Sequence, residues 1–339
     1  MNDNRLDPDI LTIDSTSIPR GTTQYFELNL ARLYDFTELS MPVCVIRAKN
    51  PGPVFFISGA VHGDEIIGPE IIKRLLKNKN LRLTKGTLII IPIVNVFGFN
   101  NKSRYLPDRR DLNRSFPGSQ AGSLSSRLAS IFLKEIIEQS HYGIDLHSGA
   151  VHRANLPQIR ACLDNPVTES LALQFGCPVI VHSNIRDGSI REAAENSGVS
   201  MLLFEGGEAL RHDEHVIKYA IRGILQCLQH VSMISLSKQE SKPKKTFVAR
   251  SSYWMRAPQS GVMHKTVRLG DSVDQKHVLC TISDTFAKNV TKVFAKSSGV
   301  VIGENRLPLV NQGDALFHIA TFDQIDMDQF PEDLGDFSG

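Results

Sequence analysis

From residue 53 to residue 231, short apolar runs typical of buried strands alternate with stretches that have helical periodicity. Two of the helix starts are marked by Pro69, which is tolerated in a first helical turn, and by Ser123, a favoured helix cap. The pattern predicts strands at 54–58, 87–94, 142–147, 178–182 and 199–204, and helices at 69–76, 123–137, 165–175, 190–197 and 215–231. This alternation predicts an α/β fold with a mixed, mostly parallel sheet sandwiched by helices.

One polar stretch, residues 95–122, interrupts the alternation. It is rich in Asn, Arg, Pro and Gly and shows neither helical nor strand periodicity, so we predict a long loop. Loops of this length inside a compact domain are usually functional or disordered.

Composition divides the chain into four segments. Residues 1–236 are predicted to form the main domain, with a β-rich stretch at 1–50. Residues 237–250 hold five basic residues and one acidic residue without helical periodicity, and we predict a linker. Residues 251–322 contain two similar stretches, each with a turn, a strand, a Gly-Asp pair and another strand, which predicts a small β-barrel or sandwich. Residues 323–339 carry six acidic and no basic residues, so we expect a poorly ordered tail.

Charge and apolar content argue against several classes of protein. The 339 residues include 38 Lys and Arg and 36 Asp and Glu, so we expect no nucleic-acid partner. No run approaches the roughly 18 apolar residues that span a bilayer, and no signal peptide pattern is seen, so we expect no membrane association and a cytoplasmic location. The cysteines are widely spaced without a CxxC motif, which predicts free thiols rather than disulfides.

Polar clusters follow three of the predicted strands. They are residues 59–65 (GAVHGDE), 145–149 (DLHSG) and 204–207 (FEGG). Ligands of open α/β sheets usually bind at the carboxyl ends of the strands, so three clusters arriving there indicate a binding or catalytic site.

These clusters contain the ligand types of a catalytic zinc site. His62 and Glu65 are three residues apart, and His147 adds a second imidazole, which gives a His₂Glu set that leaves one position for water. A separate carboxylate must then take the proton of the attacking water, and Glu205 at a strand end fits that role. Asp145 lies on the same strand face as His147, where it would either orient the imidazole or pair with an arginine.

The predicted loop holds an arginine-rich motif, RYLPDRRDLNRSFPG at 104–118. The planar guanidinium of arginine binds carboxylates with two parallel hydrogen bonds, so the motif suits the recognition of a carboxylate. The local sequence allows a second interpretation with equal weight, in which the arginines pair with Asp108 and Asp111.

Taken in order, the motifs HGDE, DLNRSFPG, DLHSG and the strand ending in Glu205-Gly206 resemble the succinylglutamate desuccinylase/aspartoacylase family. This family belongs to the group with a zinc-carboxypeptidase-like fold. The resemblance covers about residues 20–320, because the carboxy-terminal β-rich segment is similar to the small domain, biotinyl/lipoyl-like in shape, that such enzymes carry. The resemblance therefore implies a two-domain enzyme.

The implied activity is zinc-dependent hydrolysis of the amide bond of a small N-acyl amino acid, with esters as further substrates. His62, Glu65 and His147 would bind one Zn²⁺ per chain, and Glu205 would serve as general base and then as general acid.

The resemblance also implies roles for three residues of the loop. Asn113 and Arg114 would bind the carboxylate of the amino-acid part. Arg104 would help the zinc ion to stabilise the oxyanion. The loop before Asp111 is slightly longer than in better-known members of the family, so the role of Arg104 depends on where the loop places it.

Two other functions would use the same residues. A metallocarboxypeptidase acting on short peptides needs the same zinc, base and arginine, and a zinc-containing binding protein without turnover needs only the ligands. The presence of Glu205 counts against the binding protein, because a site without turnover has no need of a base. The sequence leaves open whether the chain forms a homo-oligomer.

Overall fold

The computed structural model describes residues 10–237, the main region, and residues 246–322, the carboxy-terminal region. The strands of the main region are β1 (Leu11–Ile13), β2 (Thr16–Ile18), β3 (Thr23–Arg32), β4 (Glu38–Arg47), β5 (Asn50–Gly59), β6 (Lys85–Ile91), β7 (Tyr142–Gly149), β8 (Arg153–Ala161), β9 (Val179–His182) and β10 (Ser200–Glu208). Its helices are α1 (Ile67–Leu76), α2 (Val96–Asn101), α3 (Leu124–Phe132), α4 (Pro166–Phe175), α5 (Ile190–Asn196) and α6 (Glu214–His230). The strands of the carboxy-terminal region are β11 (Phe247–Ala249), β12 (Ser251–Arg256), β13 (Gly261–Lys265), β14 (Ser272–Val273), β15 (Val278–Ser283), β16 (Val290–Phe294), β17 (Gly299–Asn305), β18 (Leu309–Val310) and β19 (Ala315–Thr321).

One mixed sheet runs through both regions. At its centre, β6, β5, β7 and β10 lie side by side and parallel. β4 and β3 extend the sheet antiparallel beyond β6, and β8 lies antiparallel to β10 on the other side. Beyond β8 the sheet continues into β17, β19 and β12. The parallel centre with helices on both faces confirms the predicted α/β fold class.

The sheet centre is buried on both faces, which explains its almost continuous apolar runs. In β5, Phe55 and Ile57 pack into the cluster that holds the apolar sides of α1, α4 and α6. Val54 and Phe56 alternate with them and pack into the opposite cluster with α3 and α5. Alternate residues of a strand point to opposite faces, so both sets must be apolar when helices cover both sides.

The start of α3 follows the predicted capping, whereas α1 begins at Ile67, so that Pro69 lies in its first turn rather than at its start. Ser123 accepts a hydrogen bond from the Ser126 backbone N–H at the start of α3, and five further residues continue α3 as a wider turn (Leu133–Ile137). The predicted loop at 95–122 is wrong in part, because α2 and a short 3-10 turn (Leu112–Arg114) lie within it.

The sequence predicts no strand between 147 and 165, yet β8 lies there. Pro157 argues against a central strand, because proline cannot donate a ladder hydrogen bond. β8 pairs with β17 through Asn155 and with β9 from Gln158 onward, so Pro157 lies where the partner strand changes. β8 matters for the site because it is the neighbour of β10.

In the carboxy-terminal region, a second sheet of β16, β15, β13 and β18 packs face to face with the end of the main sheet. The two similar stretches found in the sequence have matching turns: Asp271 accepts from the Arg268 N–H, and Asp314 accepts from the Asn311 N–H. β11 lies within the predicted linker and pairs with β9. The rest of that linker, 238–245, and the predicted tail, 323–339, lie outside the described residues.

All five cysteines lie within the described residues and are free thiols, four of them buried. No helix among the described residues is long and apolar enough to cross a membrane.

Candidate active site

The first polar cluster lies in the loop between β5 and α1. The Glu65 backbone N–H donates to the His62 carbonyl oxygen at 3.1 Å, which closes a tight turn. Gly63 between them has no room for a side chain, since a Cβ there would lie 2.0 Å from the carbonyl carbon of Gly98 in α2. The close approach of this loop to α2 fixes the positions of His62 and Glu65.

His147 and Glu205 come from neighbouring parallel strands. Glu205 of β10 lies directly opposite His147 of β7 in the strand register. On the other side of β7, Gly59 at the end of β5 lies opposite Leu146. The three strand ends therefore meet at one edge of the sheet, and the structure brings the three predicted clusters together.

The side chains of His62, Glu65 and His147 converge on one point. The Nδ1 atom of His62 lies 2.7 Å from Glu65 Oε1, the Nδ1 atom of His147 lies 2.7 Å from Glu65 Oε2, and the two Nδ1 atoms are 3.2 Å apart. The three residues are 4%, 1% and 2% exposed, respectively. Ligands of a tetrahedral zinc ion are separated by roughly 3.3 Å, because the zinc bonds are about 2.0–2.1 Å long. The set therefore fits such an ion after small outward shifts.

The outer nitrogen of each imidazole is held by a carboxylate. His147 Nε2 lies 2.6 Å from Asp145 Oδ2, and Asp145 in turn accepts a hydrogen bond from the Ser58 hydroxyl at 2.7 Å. His62 Nε2 lies 3.1 Å from Asp111 Oδ1. Such contacts orient metal-binding histidines and leave the other nitrogen free for the metal. Of the two interpretations of Asp145, the structure shows the one in which it orients His147.

The charges within the cluster favour the binding of a cation. Burial would raise the pKa of Glu65, but the two neighbouring imidazoles outweigh burial and hold that pKa well below its usual range. Burial would lower the pKa of His147, but Asp145 and Glu65 outweigh it and raise that pKa well above its ordinary value. Zinc binds imidazole in its deprotonated form, so a metal ion that binds here must displace any proton that His147 holds.

Arg104 borders the cluster. Its guanidinium donates to Asp111 Oδ2 at 2.9 Å and to Glu65 Oε1 at 3.4 Å. Asp111 also caps the 3-10 turn by accepting from the Asn113 backbone N–H. The pairing of a loop arginine with Asp111 is therefore real, and it places a positive charge beside the cluster.

Asn113 and Arg114 lie on the wall of the same cavity. The Asn113 side-chain oxygen accepts from the Ile190 backbone N–H at 2.9 Å, at the start of α5. Arg114 donates to the Asn113 carbonyl oxygen, and it has no carboxylate partner among residues 10–237 and 246–322. The Arg114 guanidinium therefore remains available for an anionic ligand.

Glu205 lies beside two residues of β8. The Asn155 amide donates to Glu205 Oε2 at 2.9 Å, while Arg160 Nε lies 4.0 Å from Glu205 Oε1. The second distance is too long for a hydrogen bond, so Oε1 has no hydrogen-bond partner among the described residues and can accept a proton.

The site opens into a cavity of about 370 Å³ with a strongly positive lining. Burial first, and then the neighbouring charges of Arg160 and Arg186, lower the pKa of Arg191 to about 10. Among residues 10–237 and 246–322, only two carboxylates, Glu65 and Glu205, line the cavity. Such a surface attracts anions. Its arginines are Arg104, Arg114, Arg153, Arg160, Arg186, Arg191 and Arg256.

All seven predicted site residues line this cavity. Sequence reasoning missed the arginines and the asparagine of β8, because that strand was not predicted. It also missed Trp254, Arg256 and Ala315, which the carboxy-terminal region adds to the wall. Only the strand register shows that these positions face the site, and no local motif marks them.

The chain is similar to proteins of one known family. The model of the succinylglutamate desuccinylase/aspartoacylase catalytic domain matches residues 51–231. An N-alpha-acetyl-L-2,4-diaminobutyric acid deacetylase from Halomonas elongata is 27% identical over 292 residues, which cover 83% of this chain and 85% of that protein.

Two solved structures show the same fold. A succinylglutamate desuccinylase/aspartoacylase from Rhodobacter sphaeroides superposes with a TM-score of 0.79 at 23% identity, over 92% of this chain and 100% of that one. The product-bound ectoine utilization protein EutE (DoeB) from Ruegeria pomeroyi gives a TM-score of 0.79 at 22% identity, over 90% and 97%. The likeness extends over both regions of the molecule.

Proposed function

Because the chain belongs to the succinylglutamate desuccinylase/aspartoacylase family, we propose that it is a zinc-dependent deacylase that hydrolyses the amide bond of an N-acyl amino acid. The observation that carries the proposal is the convergence of His62, Glu65 and His147 beside Glu205 in one cavity rich in arginine. The Halomonas elongata relative, which is named as a deacetylase of an N-acetylated amino acid, supports the same reaction class.

The donor set fits zinc. Two neutral imidazole nitrogens and one carboxylate are typical ligands of catalytic zinc, and both imidazoles are oriented by carboxylates. When bound, zinc would polarise the acyl carbonyl and lower the pKa of a water molecule. His62, Glu65 and His147 would hold it.

Glu205 would move the protons of the reaction. Its free Oε1 would accept a proton as water attacks the acyl carbon, and it would return that proton to the nitrogen of the departing amino acid. Asn155 holds the other oxygen of Glu205 at 2.9 Å, so the carboxylate has one fixed orientation during both transfers.

The arginines would bind and stabilise negative charge. Arg114, which has no carboxylate partner in the described part of the chain, would bind the carboxylate of the substrate, with Asn113 beside it. Arg104 lies at the edge of the cluster, where its charge would stabilise the oxyanion of the tetrahedral intermediate.

A carboxypeptidase would use the same groups, and the shape of the cavity favours the deacylase. The carboxy-terminal region adds Trp254, Arg256 and Ala315 to the wall, and the volume of about 370 Å³ suits a small substrate. A long peptide would need an open groove.

A panel of amides tests the proposal. N-acetyl and N-succinyl amino acids, the corresponding α-amides without a free carboxylate, and dipeptides to tetrapeptides are incubated with the zinc-loaded protein, and the released amine is measured. We expect release from N-acyl amino acids that a chelator abolishes and added zinc restores. Cleavage of the peptides alone would favour the carboxypeptidase, and a zinc-loaded protein inactive on the whole panel would favour the binding protein.

A further inference from the structure

His318 is a buried polar residue of the carboxy-terminal region that contacts a residue of the proposed active site. It lies on β19 and is 4% exposed. Its Nδ1 lies 3.4 Å from an Nη atom of Arg160, and its Nε2 lies 2.9 Å from the Ser252 hydroxyl. Arginine can only donate, so Nδ1 must accept, and the single ring proton is on Nε2.

Several contacts fix the ring of His318. The Trp254 ring stacks on it with centroids 4.4 Å apart and planes 7° from parallel. On the next strand, β17, Gly303 lets the backbone approach: a Cβ there would lie 3.0 Å from Asn155 Oδ1 and 3.1 Å from His318 Cβ. The imidazole is therefore a rigid acceptor, carried by strands that do not belong to the main region.

The contact partner, Arg160, is held at an unusual distance from the proposed base. Its Nε is buried without a hydrogen-bond partner among the described residues, 4.0 Å from Glu205 Oε1. A free guanidinium this close to a carboxylate would be expected to close the gap and form a direct ion pair. The Nη atom beside this Nε is directed to His318, which holds the guanidinium back.

Direct pairing would harm the reaction. Asn155 already occupies Glu205 Oε2, so Oε1 is the oxygen left for the proton of water. If Arg160 donated to Oε1, both oxygens would be occupied and the carboxylate would be a weaker base. At 4.0 Å, Arg160 attracts the negative charge of Glu205 without occupying that oxygen.

We propose that His318 is a positioning residue for the catalytic base: by holding Arg160, it keeps the guanidinium near Glu205 without allowing it to bind Oε1. The inference rests on the proposed function, in which Glu205 is the base. It assigns the carboxy-terminal region a part in turnover beyond the wall of the cavity. His318 can act in this way because burial and the charge of Arg160 lower its pKa to about 3, so it remains a neutral acceptor.

A double-mutant cycle tests the proposal. For His318→Leu we expect kcat to fall by on the order of tenfold, with KM and zinc content nearly unchanged, because Arg160 closes onto Glu205. His318→Asn keeps an acceptor near the position of Nδ1 and should retain kcat within about threefold of wild type. In an Arg160→Gln background, His318→Leu should have no further effect, because the group that it controls is gone.

A matched control comes from β12. The Tyr253 hydroxyl donates to the Ser297 carbonyl at 2.8 Å, outside the cavity, so Tyr253→Phe removes a half-buried contact of the same region. We expect it to leave kcat unchanged. If His318→Leu and Arg160→Gln lower kcat independently, or if Tyr253→Phe has the effect of His318→Leu, the positioning role is overturned while the proposed function stands.

A measurement that does not depend on turnover separates the positioning role of His318 from the proposed deacylase function. Trp254 is the only tryptophan of the chain and stacks on His318, so its fluorescence reports protonation of that ring. We expect constant emission from about pH 8 to about pH 5 and a change at lower pH that moves upward in Arg160→Gln, because the lost positive charge had disfavoured protonation. His318→Leu should abolish this change.

The fluorescence midpoints and the rate of amide hydrolysis together show which proposal fails. Equal midpoints in wild type and Arg160→Gln would overturn the contact on which the inference rests, whatever the activity. A wild-type protein that binds zinc but hydrolyses no amide would overturn both the proposed function and the positioning role, even if the fluorescence shifts as expected.

Discussion

The main region and the carboxy-terminal region contribute to the candidate site in different ways. The main region supplies His62, Glu65, His147 and Glu205 from the ends of parallel strands, where adjacent ends converge by geometry alone. The carboxy-terminal region supplies wall residues from antiparallel strands that reach the cavity by extending the same sheet past β8. In the proposed reaction the main region therefore supplies the metal ligands, the base and most of the wall, and the carboxy-terminal region completes the wall.

The difference predicts a ranking of effects. Substitutions at the strand ends of the main region should abolish turnover or lower the affinity for zinc. Substitutions in the wall should change substrate binding or orientation while the metal stays bound.

Glu205→Gln should have the largest effect. The glutamine has the same shape but cannot accept a proton, so turnover should fall by at least about a hundredfold while zinc content is unchanged. Glu138→Gln, an exposed residue next to the turn that follows α3, is the control. A Glu205→Gln variant with more than a few per cent of wild-type rate would remove Glu205 from its proposed role.

Asp145→Asn should weaken zinc binding rather than abolish turnover of the zinc-loaded protein. The asparagine no longer provides the negative charge beside His147 Nε2, so zinc affinity should fall by about ten- to a hundredfold. Competition with a chelator of known affinity measures the change, and excess zinc should restore most of the rate. Ser58→Ala removes only the hydrogen bond to Asp145 and should have a smaller effect. Equal zinc affinity in wild type and Asp145→Asn would contradict the orienting role.

Arg114→Ala should separate substrate binding from catalysis. Loss of a charge-assisted contact of about 1.5–3 kcal/mol predicts a KM higher by roughly ten- to a hundredfold for substrates with a free carboxylate. Substrates without the carboxylate should be little affected. Arg256→Ala is the comparison in the other region: Arg256 lines the cavity from β12 and has no part in the proposed binding of the carboxylate, so we expect a small change. If both classes of substrate suffered equally from Arg114→Ala, Arg114 would not bind the carboxylate.

The smallest expected effect is a pH dependence of the stabilisation by zinc. In metal-free protein the pKa of His147 is raised above its ordinary 6.5, so the stability that this group contributes is present below about pH 6.5 and is lost as pH rises. Zinc needs the deprotonated imidazole, so its stabilisation grows with pH. The difference in Tm between zinc-loaded and chelated protein should therefore widen from pH 6 to pH 8. A difference that narrows over this range would contradict the assignment of His147.

Much of this arrangement could be predicted from the sequence, because its main features are local. The apolar strands of the parallel sheet and the Ser123 cap depend on neighbouring residues, and the polar clusters follow the strands directly. His62 and Glu65 belong to a single tight turn, so their spacing alone indicates a shared role.

The rest depends on long-range pairing. β8 combines a proline with a change of partner strand, and neither periodicity nor composition marks it. Arg160 faces Glu205 only because β8 lies beside β10, and His318 reaches Arg160 only because β19 continues the sheet more than 150 residues later in the chain. Such contacts follow from register, which a single sequence does not contain.

The central claim is that the His62, Glu65 and His147 cluster binds the metal ion on which amide hydrolysis depends. The most direct measurement is a zinc titration of chelator-treated protein, in which bound metal is followed by elemental analysis and turnover by amine release. We predict that both rise together and level off at one zinc per chain, and that His147→Ala abolishes both. Full activity in metal-free protein, or zinc bound without any dependence on His147, would contradict the claim.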